Sequence, residues 1–190
     1  MAVYGEMHSV FASNLIKKSI ERQYPVFYSR YYRFLYNILA VMTLLPIGWL
    51  MLTLPDQPLY TISYPLIIVT LLIQGVAGLG MVYSLLGTGA GSFLGWDQLM
   101  GKTLPPEKLK TDGLYRYVRH PLYTLGIVII WLFPWMTANW LALIASTTAY
   151  LVVGALLEER KMMQQFGDEY AQYQARTPML MPDLRKILKG

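Results

Sequence analysis

The chain has 190 residues, 55% of them hydrophobic, 14% aromatic and 14% charged, with a net charge of +5 and a mean hydropathy of +0.36. A soluble domain carries ~25% charged residues, so this composition excludes an ordinary wetted globule, and its aromatic content excludes a disordered chain. The lack of cysteine excludes disulfides, cysteine-ligated zinc, iron–sulfur clusters and thiol nucleophiles, and two histidines, His8 and His120, leave little material for a metal centre.

Residues 1–33 come first and read as an interfacial N-terminal segment. Met1–Ile16 is mildly apolar, contains Glu6 and His8, and lacks the basic start and small-residue cleavage site of a signal peptide. Tyr24, Phe27, Tyr28 and the run Arg30-Tyr31-Tyr32-Arg33 form an aromatic and basic belt suited to the headgroup level. Phe34–Pro55 then contains no Asp, Glu, Lys, Arg or His. At ~20 apolar residues per crossing, it holds one transmembrane helix over 34–54. Gln57–Trp96 is likewise uncharged, and Pro58, Pro65 and the glycines 87, 89, 91 and 95 confine its helix to 63–86. Pro121–Leu157 is too long for one helix, and Pro134-Trp135-Met136-Thr137-Ala138-Asn139 breaks it into a tight hairpin of helices 121–133 and 140–157. The expectation is an all-α, polytopic membrane protein with about four transmembrane helices in a single domain over 1–190. A cytoplasmic loop over 87–120 and a helical tail over 158–190 complete it.

The charges agree with that count. All 16 Lys and Arg fall before the first helix, between the second and third, or after the fourth, and of the 11 acids only Asp56 falls in the opposite loops. The positive-inside rule then predicts that both termini are cytoplasmic. Charge-free crossings also argue against an ion path. Chemistry is therefore sought in the loop and the tail.

Three constellations stand there. Gly113-Leu114-Tyr115-Arg116-Tyr117-Val118-Arg119-His120-Pro121-Leu122-Tyr123 places Pro121 where a helix begins, with Arg119 and His120 at the mouth of its N-terminus. Such a terminus favours an anion such as a carboxylate. Glu158-Glu159-Arg160 follows directly on the fourth apolar run, where acids are costly unless solvated or functional. Phe166-Gly167-Asp168-Glu169-Tyr170-Ala171-Gln172-Tyr173 and Thr177-Pro178-Met179-Leu180-Met181-Pro182 stand in the tail, and Tyr170 and Tyr173 share a helix face. Each also suits a plain membrane edge: Arg119 as a boundary residue, Glu158 and Glu159 as solvated partners of Arg160, and the tyrosines as surface packing.

In their order and spacing, these motifs resemble the integral-membrane methyltransferases, whose type member is isoprenylcysteine carboxyl methyltransferase, over about Leu94–Pro182. The hairpin F-P-W-M-T-A-N-W, the ending P-M-L-M-P and the early H-S-V-F-A-S-N resemble the bacterial NnrU-like and methanethiol S-methyltransferase branches. Such proteins commonly carry a hydrophobic helix ahead of the H-S segment, which leaves His8 without an assigned role.

The resemblance implies an enzyme that uses S-adenosylmethionine, bound in a cytoplasm-facing pocket of loop, last helices and tail. It assigns Arg119, His120, Tyr123, Glu158, Glu159, Tyr170 and Tyr173 to cofactor binding, and Arg119, His120 and Glu159 to catalysis. The acceptor would be a small or lipophilic thiol or carboxylate, methanethiol-like or prenylcysteine-like, reached from the lipid bilayer of a bacterial inner membrane. Neither a metal nor nucleic acid is implied. The residue chemistry suits that cofactor: Arg119 and the helix start for its carboxylate, a glutamate for its ammonium or ribose hydroxyls, and tyrosine faces for its adenine and sulfonium. Two alternatives share parts of the pattern. One is an NADPH-dependent membrane reductase related to sterol reductases, which are longer chains; the other is a non-catalytic membrane partner of the same fold.

Overall fold

The computed structural model describes residues 2–104, 106 and 108–183. The end of the expected tail, with Arg185, Lys186 and Lys189, lies outside the described residues. The chain divides into two compact units, Met1–Asp56 with Gly89–Pro106, and Gln57–Thr88 with Glu107–Gly190.

The first unit is built around one long helix. Short helices α1 (Ala2–Ala12) and α2 (Asn14–Gln23) lead in, and α2 is capped by Ser13, whose hydroxyl accepts from Ile16 N at 3.4 Å. Then α3 (Pro25–Phe27), a π-helical turn (Tyr28–Tyr32) and α4 (Arg33–Thr53) run on as a single 29-residue helix, Pro25–Thr53. It starts well before residue 34 because Pro25 suits a first helical position and nothing in the aromatic belt breaks the backbone. The N-terminal segment folds back onto this helix. His8 Nε2 lies 2.5 Å from the Tyr36 hydroxyl, and Tyr32 donates to Phe11 O at 2.5 Å. Farther along the chain, α6 (Ala90–Leu94) and α7 (Trp96–Leu99) pack on α4. They meet at Gly95, whose φ is +84° and where a Cβ would sit 2.4 Å from Phe34 N. Only glycine fits there.

The second unit contains β1 (Pro58–Thr61), α5 (Leu66–Gly87), a 3-10 turn (Gly113–Arg116), α8 (Pro121–Trp131), β2 (Trp135–Thr137), α9 (Ala138–Phe166) and α10 (Asp168–Arg176). The packing of α5 on α8 is its main helix contact. Thr70, Ala77 and Ser84, seven apart, are the buried residues of α5, and Gly80 faces Leu125. Small residues let two backbones approach closely where lipid gives no hydrophobic drive to associate.

Helix α8 is only 11 residues, about 16 Å. That is roughly half of a ~30 Å hydrocarbon core. Its final turn is tied sideways: Gln74 donates to Ile129 O at 2.8 Å, and Trp131 Nε1 to Thr148 Oγ1 at 2.9 Å. Beyond it the chain becomes extended, and β2 pairs antiparallel with β1, Tyr60 opposite Met136 and Thr61 opposite Trp135. Two more backbone bonds, Ile62 N to Pro134 O and Ala138 N to Gln57 O, each 2.9 Å, flank the ladder. Extended backbone near a membrane is costly where its polar groups lack partners, and the ribbon pairs those that face between its two strands. The sequence reads these stretches as loops, so the ribbon is an addition to the expected helical architecture.

Helix α9 opens on Thr137, whose Oγ1 accepts from Trp140 N at 3.2 Å, and runs unbroken past Leu157 to Phe166. Gly167, at φ +51°, ends it and turns the chain into α10, with Asp168 and Glu169 in the first turn. Among the described residues, three helices, Pro25–Thr53, Leu66–Gly87 and Ala138–Phe166, are long and apolar enough to cross a membrane. The fold is that of a polytopic, helical membrane protein, with α8 a fourth, shorter apolar helix.

The α5–α8 seam is testable. A Cβ at Gly80 would lie 3.0 Å from Leu125 Cδ1, whereas one at Gly78 meets nothing within 4 Å. Gly80→Leu is expected to destabilise the detergent-solubilised protein by ~1–3 kcal/mol of overpacking, and Gly78→Leu by far less. Thermal unfolding of the two variants side by side checks this.

Candidate functional site

The second unit gathers the three sequence constellations at the start of α8. His120 stands immediately before Pro121, which opens the helix, and the tail runs alongside as a strap. Arg119 N donates to Pro178 O at 2.9 Å, His120 N to Met179 O at 3.2 Å, and Thr124 Oγ1 to Leu180 O at 2.7 Å. The Arg-His-Pro start is therefore fixed through its backbone as well as its side chains.

Glu159 is the centre of the site. It is 8% exposed, and its Oε1 accepts from Arg119 Nε at 2.6 Å and Nη2 at 2.5 Å, with His120 Nε2 at 3.3 Å. Its Oε2 accepts from Gln174 Nε2 at 2.9 Å. Arg119, equally buried, gives Nη1 to Gln174 O at 3.1 Å and to Thr177 O. Both carboxylate oxygens are thus engaged, Oε1 by Arg119 and His120 and Oε2 by Gln174.

Glu158 is different. Its side chain is 44% exposed, and only Oε2 is engaged, by the Tyr123 hydroxyl at 3.0 Å and by His120 Nδ1 at 3.6 Å. The His120 and Tyr123 rings stack at 5.5 Å with 8° between their planes. The His120 ring thus has one carboxylate at each nitrogen, Glu159 buried and Glu158 open.

The tail tyrosines form the floor. Tyr170 and Tyr173 are each 2% exposed and meet edge to face at 5.9 Å. Tyr173 donates to Tyr115 O at 2.7 Å, and the Arg119 charge acts on the Tyr170 hydroxyl. Burial pushes the Tyr170 phenol up to about 12, with the Glu159 charge adding to it, and burial raises Tyr173 further, helped by Tyr170 beside it.

All seven expected residues thus lie in one connected network, running Tyr123, Glu158, His120, Glu159, Arg119, Tyr170, Tyr173. Sequence reasoning gave no role to Gln174, Thr124 or Thr177, although Thr177 stands in the tail motif. A signal existed for Gln174, which falls four residues after Tyr170 and so on the same helix face. The other two act through the strap, which no periodicity marks. His8 is placed in the first unit, against Tyr36.

Residues 22–177 match the family described as a protein of unknown function, DUF1295. The chain belongs to the DUF1295 family. It is also similar to proteins named methanethiol S-methyltransferase. It is 36% identical, over 98% of its own length and 66% of the relative's, to methanethiol S-methyltransferase 1 of Bradyrhizobium diazoefficiens. It is 29% identical to methanethiol S-methyltransferase 2 of the same organism, over 97% of its own length and 71% of that protein's. To the methanethiol S-methyltransferase of Crocosphaera subtropica it is 39% identical, over 45% of its own length and 33% of that protein's. The chain thus spans just under two thirds of the first of these relatives and a third of the last. No solved structure matches it. These likenesses agree with the resemblance of its motifs to the methanethiol S-methyltransferase-like membrane proteins.

In this DUF1295 protein the two adjacent glutamates should differ sharply in their effect on folding. Glu159→Ala strands a buried guanidinium, which costs ~3–5 kcal/mol, whereas Glu158→Ala removes a half-exposed group worth ~1 kcal/mol or less. Chemical or thermal unfolding of both variants measures the gap. A second expectation concerns pH. Between pH 10 and about 12, folded Tyr170 keeps a proton that the unfolded chain releases, so stability falls as pH rises through that window and is fully present below it. Melting curves from pH 9 to 11.5 should show this decline, and Tyr170→Phe should flatten it.

Proposed function

We propose that the chain transfers a methyl group from S-adenosylmethionine to a small thiol, with a lipophilic thiol or carboxylate such as prenylcysteine as the related acceptor class. The observation that carries this reading is the division of the acidic pair, one glutamate locked and its neighbour open beside His120 and Tyr123. The names of the relatives, methanethiol S-methyltransferase, support the thiol.

The donor set fits the cofactor. It carries an ammonium, a carboxylate, ribose hydroxyls, an adenine and a sulfonium. Glu158 Oε1 is the acceptor suited to the ammonium or the ribose hydroxyls. The N-terminal end of α8, with its dipole, suits the carboxylate. The ring faces of Tyr123 and His120 suit the adenine or the sulfonium. Arg119 and Glu159 act here by holding one another, His120 and the tail, and so position the site.

When bound, S-adenosylmethionine supplies a methyl group on an already activated sulfur. The protein's own residues then have three tasks. The first is alignment, which the strap and the Arg119–Glu159 pair secure by fixing the start of α8. The second is to take up the acceptor's proton. A free thiol has a pKa of ~8.5 and is mostly protonated at neutral pH, and the open Glu158–His120 pair is the acceptor for that proton. The third is exclusion of water, which the buried tyrosines provide from below.

In the same reading, α8 and the strand after it make the fourth crossing, helices α8 and α9 form the expected hairpin, and both termini lie in the cytoplasm of a bacterial inner membrane. The basis is the placement of all 16 Lys and Arg beyond the crossings on one side.

Isothermal titration of the purified protein should show binding of S-adenosylmethionine and none of NADPH. Glu158→Gln should weaken it about 10- to 100-fold, the ~1.5–3 kcal/mol of a charge-assisted hydrogen bond, while folding is kept. Labelled cofactor should methylate methanethiol in the wild type and fail to do so in His120→Ala. Binding of NADPH without S-adenosylmethionine would instead assign the site to a reductase.

A further inference from the structure

The first unit holds a second feature that methyl transfer does not use. An apolar groove of about 390 Å³ runs beside α4, lined by Phe34, Ile38, Val41 and Met42 from one face of that helix and by Leu94 and Trp96 opposite. From Phe34 to Met42 it covers about 12 Å of helix.

Its walls are pinned in place. Asn37 at its base donates to Phe93 O at 3.2 Å and Leu94 O at 3.0 Å. Arg33 donates to Ser92 O at 3.0 Å, and Arg30 to Leu99 O at 3.1 Å. Gly95 lets the two backbones approach at Phe34, and Trp96 meets the Phe34 ring edge-on at 6.0 Å. The groove is therefore a preformed notch and not a bare helix face.

One end of the notch carries positive charge. Arg30 and Arg33 are exposed, and each uses one of its five N–H donors on a backbone carbonyl. Among the described residues neither forms an ion pair; Arg30 lies only over the Tyr31 ring, at 5.7 Å. An amphiphile with an anionic head and an apolar tail matches this layout, the head at the arginines and the tail along the helix. A second copy inserted in the same orientation does not, because a two-fold axis along the helix would bring two cationic rims together.

We propose that this notch binds an anionic phospholipid, its phosphate held by Arg30 and Arg33 and one acyl chain laid between α4 and the Leu94–Trp96 segment. Basic groups beside helix clefts recognise anionic headgroups in this way. This inference does not depend on the proposed methyl transfer.

The test is native mass spectrometry of the detergent-purified full chain, titrated with phosphatidylglycerol or with phosphatidylcholine of the same acyl composition. The wild type should bind phosphatidylglycerol about 10- to 30-fold more tightly, the worth of two basic groups at a headgroup. Arg30→Gln with Arg33→Gln should abolish that preference. Because both arginines also pin backbone, a second variant is needed. Val41→Trp, at a 61% exposed position, fills the notch without touching a clamp and should lower the affinity for both lipids at least tenfold. Equal binding of the two lipids by the wild type would overturn the proposal, and so would wild-type binding by Val41→Trp. Displacement by glycerol phosphate alone would reduce the site to a headgroup contact. Efficient disulfide dimerisation of Val41→Cys would give the groove to a second copy.

Discussion

The ion pair between Arg119 and Glu159 is the constraint on which the second unit turns. Two charges withdrawn from water repay their desolvation only when good geometry and further hydrogen bonds surround them. Here His120, Gln174 and Thr177 supply those bonds, and they come from the loop before α8 and from the tail, while Glu159 itself comes from α9. A charge pair that needs all three stretches also fastens all three. With both Glu159 oxygens engaged, the carboxylate of the two that keeps an oxygen without a partner among the described residues is Glu158.

The geometry of α8 follows from the same economy. Its first turn belongs to the site, and its last is held by Gln74 and, through Trp131, by Thr148 of α9, so an 11-residue helix is anchored at both ends. A short helix fixed in this way has little freedom to tilt or slide, and a site that works by alignment gains from a rigid base. The cost is that the chain must leave helical structure early. The ribbon with β1 meets that cost by pairing the backbone groups that would otherwise be bare.

Much of this was legible in the residues. The charge-free runs locate the apolar helices, and the motif around Arg119, His120, Glu158 and Glu159 marks the residues that meet. Helix ends were less legible, because charge marks the edge of a membrane and not the end of a helix. The aromatic belt joins α4 without a break, and α9 continues beyond Leu157 until Gly167. The ribbon was hidden because strand pairing between Pro58–Thr61 and Trp135–Thr137 is a long-range register that proline-rich turns do not announce. The division between Glu158 and Glu159 was hidden for a related reason. Adjacent helical residues point about a quarter-turn or more apart, and which one faces inward is decided by the strap and by Arg119.

The strap itself has a consequence for how such a chain can vary. Residues 178–180 contribute three carbonyl oxygens to the start of α8 and no side-chain bond. Proline suits such a position, since it lacks only the donor that is not required. A carbonyl is common to all twenty residue types, so the identity of Pro178, Met179 or Leu180 is weakly constrained by the contact, whereas their spacing is strictly constrained. Loss or gain of one residue between Thr177 and Leu180 would shift every acceptor off its donor at once. Chain length, more than composition, is what this segment has to keep.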